Sequence, residues 1–364
     1  MPVRHKRFIF LVQGEGRGHM TQAIGLYQML KEAGHEIVHV FIGQSKRRKV
    51  PAYFFESFDV NIEPLDSPNF ISDTENKSIR LLGSIFYNLK FLNHYRKSLA
   101  RIHQVATETR ADSIINFYDF LGGFYNFLYK NQMKFIAIGH QFLTDHPDFP
   151  YAGGKPIDKK LFLINNYINS LGAYKKLALS FRRYDPERIG STVVVPPILR
   201  NEIFNYKPSV ENFLLGYMVN DGYSQEIIRW HRVYPEILIH CFWDKKDEPI
   251  MKKIDDTLFF HQLDATKFLD FMARCKGLMT TAGFESVCEA MLLGKPVFMV
   301  PVAGQYEQAC NAIDASLAGA GIYDHSFNIS KFLDFIGDYN PPKVAFQEWL
   351  SKASQVIINE LTDF

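Results

Sequence analysis

Thr280-Thr-Ala-Gly-Phe-Glu-Ser-Val-Cys-Glu-Ala-Met-Leu-Leu-Gly-Lys-Pro-Val-Phe-Met-Val-Pro301, continued by Gln305-Tyr-Glu-Gln-Ala-Cys-Asn-Ala312, is the stretch from which the rest of the chain is read. Gly277–Thr280 is a short apolar strand, Gly283 turns the chain, and a helix runs from near Phe284 to a stop at Gly294. Val297–Val300 is again continuously apolar, the pattern of a strand covered on both faces of a parallel sheet. Strand, helix and strand in that order make a βαβ unit. The N–H groups around Gly283–Ser286 open a helix, so they and the helix dipole favour an anion such as a diphosphate. Thr281, Gly283, Phe284 and Ser286 belong to that turn. Glu289 lies one turn further in, where a carboxylate can accept two hydrogen bonds from ribose hydroxyls; the alternative is a solvated helix carboxylate. Gln305, Glu307 and Gln308 follow Pro301 on an expected loop, with side chains suited to sugar hydroxyls.

The N-terminal region repeats the plan. Phe8–Val12 reads as a buried strand, and it runs into Gln13-Gly-Glu-Gly-Arg-Gly-His19. Ala23, Tyr27 and Leu30 mark the following helix, with Thr21 as its expected cap and Gly34 as its stop, before a strand at His35–Ile42. Gly14, Gly16 and Gly18 form an expected loop for acceptor or phosphate. They alternate as G-x-G-x-G, and no acidic residue closes the second strand, which argues against a dinucleotide-binding oxidoreductase. Further strands are expected at Ser113–Phe117, Phe135–Gly139, Phe213–Tyr217, Ile237–Phe242 and Leu258–His261. Helices are expected at Ser224–Val233, Ala265–Cys275 and about Val344–Leu361. Prolines between Pro196-Pro197 and Pro208 break the periodicity. The expected architecture is α/β: two Rossmann-like, doubly wound parallel-sheet domains, 1–200 and 208–340, face a cleft, and 341–364 packs back on the first. Gly216, near the end of its strand, joins the candidate donor-binding set.

Composition narrows the class. The 364 residues carry 41 basic and 39 acidic side chains, a balance that draws in no nucleic acid. Cys241, Cys275, Cys288 and Cys310 have neither disulfide nor zinc spacing, which fits a reducing compartment. Phe8–Val12 is too short for a signal-peptide core, and no uncharged apolar stretch approaches the roughly 20 residues needed to span a bilayer. The expected location is the cytoplasm.

The series Gly283, Ser286, Glu289, Gly294, Pro296, Pro301, Gln308, Asn311, Ala312 resembles the donor-binding signature of B-type glycosyltransferases. Their UDP-glucuronosyl/glucosyltransferases and the bacterial peptidoglycan lipid N-acetylglucosaminyltransferase are the nearest in kind, and Gly14–His19 is similar to the G-x-G-H element of the same family. The resemblance implies that Glu289 holds the nucleotide ribose, that Ser286 and nearby amides bind the diphosphate, and that Gln308 with Glu307 holds the sugar. It implies an inverting, metal-independent transfer from a nucleotide sugar, UDP-linked for preference, to a hydroxyl acceptor such as a lipid or cell-envelope glycan. There is no D-x-D motif and no further cofactor is expected. His19 matches the base of the glucosyltransferases; read by itself it is equally a helix-start histidine. Asp119 either orients His19 through a carboxylate–imidazole hydrogen bond or caps a local turn, and His140 and Gln141 follow a strand toward the acceptor. Plant members carry a histidine where Thr281 stands and an asparagine where Glu285 stands; a carboxylate beside a diphosphate is an awkward neighbour. Two other readings share these residues: a nucleotide-sugar 2-epimerase or hydrolase, and a non-catalytic nucleotide-sugar-binding protein.

Ile79–Leu99 reads as a helix, with Leu82, Phe86 and Leu89 on one face and Lys90, His94, Arg96 and Lys97 near its end. Core packing is the preferred reading, and peripheral contact with the inner membrane face through 79–99 is the other. Lys46–Lys49 is a basic loop, and Phe117–Phe127 lines either core or acceptor pocket.

Overall fold

Phe8 to Val12 are at most 2% exposed. That is what a strand covered on both faces requires, and they form the middle of β1 (Arg7–Gln13). The structure is a computed structural model that describes residues 5–44, 50–68, 88–130, 133–218, 223–245 and 247–364. β1 is followed by β2 (Glu36–Gln44), β3 (Ile62–Asp66), β4 (Ser113–Phe117), β5 (Lys134–Ile138), β6 (Lys175–Leu179), β7 (Arg188–Ile189) and β8 (Thr192–Val195). These hydrogen-bond in the order β3-β2-β1-β4-β5-β6-β8-β7, with only the short β7 antiparallel to its neighbour. The second sheet contains β9 (Leu214–Met218), β10 (Ile239–Trp243), β11 (Met251–Lys253), β12 (Leu258–Gln262), β13 (Gly277–Thr280), β14 (Val297–Met299) and β15 (Gly321–Tyr323). Its order is β11-β12-β10-β9-β13-β14-β15, and only β11 is antiparallel.

The first sheet is accompanied by α1 (Arg17–Glu32), α2 (Ala52–Glu56), α3 (Leu92–Thr109), α4 (Phe120–Tyr129) and α5 (Pro156–Asn169). The second is accompanied by α6 (Ser224–His231), α7 (Ala265–Arg274), α8 (Phe284–Leu292), α9 (Tyr306–Leu317) and α10 (Ile329–Asp338), and the chain ends with α11 (Lys343–Leu350) and α12 (Ala353–Thr362). Strand order reverses between β1 and β4 and again between β9 and β13. A crevice opens at such a switch point because the helices on either side of it cover opposite faces. The loops after β1, β4 and β13 therefore meet between the sheets.

Several local expectations change. α1 starts at Arg17 with Gly16 as its N-cap, so Thr21 lies one turn inside, where its hydroxyl donates to Arg17 O at 3.1 Å. The last helix is two, interrupted at Ser351–Lys352. Its halves are tied to the first sheet by Trp349 Nε1 donating to Ser180 O at 3.0 Å and by Glu360 pairing with Lys175 at 2.7 Å. Phe120–Phe127 lies within helix α4. Residues 79–87 and 45–49 lie outside the described residues. In the described part of the expected 79–99 helix, Asn88 and Leu89 are helical, a turn follows at Lys90–Phe91, and α3 runs on from Leu92; Tyr95 and Leu99 are buried, while Leu89 and Leu92 are exposed rather than core-facing.

Candidate active site in the cleft

A cavity of about 1010 Å³ opens between the sheets. On one wall, the turn after β13 leads into α8, whose N-cap Gly283 is extended at φ −80° and ψ 148°. Thr281, Gly283, Phe284, Ser286 and Glu289 all border the cavity, as do Glu307 and Gln308. The last two sit in the first turn of α9 rather than on a loop. Gln308 Oε1 accepts from Val302 N at 2.9 Å, which anchors the segment after β14 to the helix. Glu307 Oε1 accepts from Gln141 Nε2 at 2.9 Å, and burial pushes its carboxyl up to about 7. Gly216 does not belong to this wall. It lies inside β9, where a Cβ would stand 2.6 Å from Cys241 Sγ, so its role is close strand packing.

Glu289 has a partner that no sequence pattern announces. Arg200, in the connection between the sheets, donates from Nε to Glu289 Oε1 at 2.7 Å, and the two side chains are 15% and 2% exposed. A lone arginine after a proline-rich stretch carries no spacing signal; only the burial of Glu289 calls for a counter-charge. Tyr53 and Tyr217 border the same end of the cavity. Arg17 reaches Asp244 beyond β10 at 3.4 Å, one of the ionic contacts that cross the cleft.

On the facing wall, His19 is the third residue of α1 and is 9% exposed. Its ring stacks on Tyr118 with centroids 5.4 Å apart and planes 19° apart. Tyr118 follows β4 at φ 61°. That conformation is rare for a bulky residue, and it lets the ring lie against the imidazole at the switch point. His19 Nδ1 faces Gln22 Oε1 at 3.3 Å, so the proton is assigned to Nδ1 and Nε2 keeps its lone pair, with Gln141 Nε2 3.4 Å away. Burial lowers the imidazole to about 4, which makes it neutral at physiological pH.

The other N-terminal candidates separate. Asp119 does not bond to His19: its Oδ1 accepts from Ser67 Oγ and from Leu121 N, each at 2.9 Å, so it caps α4. The first turn of α4 has an unsatisfied N–H immediately beside Asp119, whereas the imidazole already has an amide partner on its own helix. His140 borders the cavity, with its ring held against the wall: Nδ1 donates to Leu179 O at 2.7 Å and the ring stacks on Phe284 at 4.4 Å. Gly14 lies off the cavity. Its N–H bonds Gly43 O at 2.8 Å, and a Cβ there would come within 2.4 Å of that oxygen. Gly16 and Gly18 do border the cavity.

Beyond His19 the cavity becomes apolar. Leu92 and Leu99 of α3, Leu121, Phe124 and Leu128 of α4, and Ile164 and Ile168 of α5 line it. At its mouth Leu89, Leu92, Leu128 and Ile164 are 54%, 50%, 59% and 43% exposed. Among the described residues, no group of three or more His, Cys, Asp and Glu is placed to hold a metal ion, and no helix is long and apolar enough to cross a membrane.

Solved structures share this architecture along their whole length. The glycotransferase of kitacinnamycin aligns with a TM-score of 0.61 at 14% identity, covering 98% of this chain and 96% of that one. Phytolacca americana UGT2, solved with UDP-2fluoro-glucose and pterostilbene, aligns at 0.62 and 14%, covering 98% and 97%. The MurG of Acinetobacter baumannii aligns at 0.54 and 14%, covering 98% and 99%. At such identities the likeness is one of fold. No curated protein sequence matches the chain significantly. The family model described as glycosyl transferase family 1 matches residues 6–338, and with two doubly wound sheets facing a cleft the chain is a glycosyltransferase of the B-type fold and belongs to that family.

Proposed function

We propose that this glycosyltransferase transfers a sugar, with inversion at the anomeric carbon, from a nucleoside diphosphate donor to a hydroxyl on an acceptor with an apolar body. A UDP-linked donor is preferred. The observation that carries the reading is the placement of His19, with Nδ1 against Gln22 Oε1, on the wall opposite the N-terminus of α8 within one cavity. His19 takes the acceptor's proton while the acceptor oxygen attacks the anomeric carbon, and the diphosphate leaves from the opposite face. The α8 N–H groups and dipole stabilise the charge that develops on the diphosphate, the task a divalent cation performs elsewhere. Glu289, aligned by Arg200, offers its second oxygen to the ribose, and Glu307 and Gln308 face the sugar. The exposed leucines and Ile164 at the mouth support an acceptor chain met at a lipid surface, with Arg96 beside them for anionic headgroups.

The test is a thermal-shift panel of UDP, GDP, CDP, dTDP and their common sugar conjugates on wild type, Glu289→Gln and Glu289→Ala. Ligand at about 100 Kd adds about 2.7 kcal/mol to a state that alone binds it. One nucleotide series should stabilise wild type and lose its effect in both variants. No stabilisation by any nucleotide refutes the donor site. Release of free sugar at the full rate without any acceptor makes the protein a hydrolase.

A further inference from the structure

Glu285 is the residue that the donor-site reading leaves unexplained. It is the second residue of α8, beside the N–H groups offered to the diphosphate, and it is 7% exposed. Its Oε1 accepts from Gln22 Nε2 at 2.7 Å across the cleft. Its Oε2 is buried and has no hydrogen-bond partner among the described residues, and the residue borders the cavity. Gly18 lies against its Cγ, so the first turns of α1 and α8 close on this carboxyl from both sides. Burial raises the carboxyl well above its usual range, and Glu289 on the same helix raises it further, while Gln22 and Arg200 act the other way. Cys288 is the other titratable group beside it, and His19 stands behind Gln22.

The hydrogen bonds run in one direction. His19 Nδ1–H donates to Gln22 Oε1, and Gln22 Nε2–H donates to Glu285 Oε1. Oε1 is thus an acceptor, and the proton of a neutral Glu285 belongs on Oε2, the oxygen without a partner among the described residues. Resting on the donor reading above, we propose that Glu285 is the acid of the transfer, giving its Oε2 proton to the departing phosphate oxygen while Gln22 couples it to the base. The acceptor hydroxyl proton passes to His19 Nε2, the acceptor oxygen bonds the anomeric carbon, and the bond from that carbon to phosphate oxygen breaks. The leaving oxygen then takes the Glu285 proton. One proton enters the chain and one leaves it, so the buried side chains gain no net charge. A cationic His19 strengthens the Nδ1–H bond to Gln22, which favours ionised Glu285 at the far end. This also resolves the like-charge problem at that position, because a neutral carboxyl donates to a diphosphate where an ionised one repels it.

The test compares wild type and Glu285→Gln, which keeps the shape and the acceptor at Oε1 but has no transferable proton. Affinity for UDP, GDP, CDP and dTDP is measured by calorimetry from pH 7 to 9.5, with release of the nucleoside diphosphate from the matching sugar conjugate as turnover. Wild-type affinity should fall roughly ten-fold for each pH unit above the Glu285 titration, and that of Glu285→Gln should stay level. Turnover of Glu285→Gln should be down about 10²–10⁴-fold, the usual worth of a positioned acid, although its affinity at pH 7 matches wild type. Matching pH profiles of binding, or turnover in Glu285→Gln close to wild type, overturn the inference and leave the donor site standing. Absence of nucleotide binding to wild type at every pH refutes the donor reading itself and this inference with it.

Discussion

Replacing Glu307 by Gln should make the protein more stable and less active, with a stability gain that depends on pH in a defined direction. Glu307 sits in the first turn of α9, half-buried, and accepts from Gln141 at 2.9 Å. Burial moves its carboxyl from 4.5 to about 7. In the unfolded chain the proton leaves near 4.5, and in the fold it leaves near 7. Between these values the unfolded state binds fewer protons, so stability falls as pH rises through the window and stays lowered above it. At about 1.36 kcal/mol per pH unit, ionised Glu307 costs the fold about 3 kcal/mol, which its partial exposure to water reduces to about 2. Gln keeps an acceptor for Gln141 and never ionises. Urea unfolding followed by tryptophan fluorescence should therefore show Glu307→Gln close to wild type at pH 4.5 and about 2 kcal/mol more stable at pH 8. A difference that is constant with pH, or a variant less stable at pH 8, refutes the reasoning. Lost sugar transfer in the same variant would mean that the cost is kept because the carboxyl works.

Three other outcomes follow. His19→Ala should lower transfer by about 10²–10⁴-fold with nucleotide affinity unchanged, as expected for a base that acts only in the chemical step. Because burial holds His19 near 4, wild-type transfer should persist to about pH 5, and a rate already halved at pH 6.5 would contradict this. Leu92→Glu with Leu128→Glu changes exposed positions and should leave folding within about 0.5 kcal/mol of wild type. It should cost roughly ten-fold or more in kcat/KM for an acceptor with a long alkyl chain and little for a short alcohol, checked by paired kinetics.

Strands at the centres of both sheets were legible in sequence, some to the residue: Ser113–Phe117 and Gly277–Thr280 are β4 and β13. Strands buried on both faces must be apolar at every position, so a local run suffices to find them. β6 opens with two lysines and β8 has only four residues, and neither stands out from its surroundings. α5 hides its inner face because Asn166 and Asn169 are buried on it, bonded to Gln141 O and to Asn165 O. A periodic apolar stripe is the primary helix signal in a single sequence, and buried amides erase it.

By itself the sequence determined that two βαβ-built halves exist, which glycine turns feed which helices, and which residue types stand at those turns. These follow from neighbours a few positions apart, where apolar period and turn chemistry operate. Only the tertiary structure decided that His19 leans on Gln22 rather than Asp119, that Arg200 holds Glu289, and that Glu285 meets Gln22 across 263 residues of chain. Those pairings, and the protonation states they impose, depend on distances through space and on how deeply each group is buried in the cleft, and spacing along the chain encodes neither.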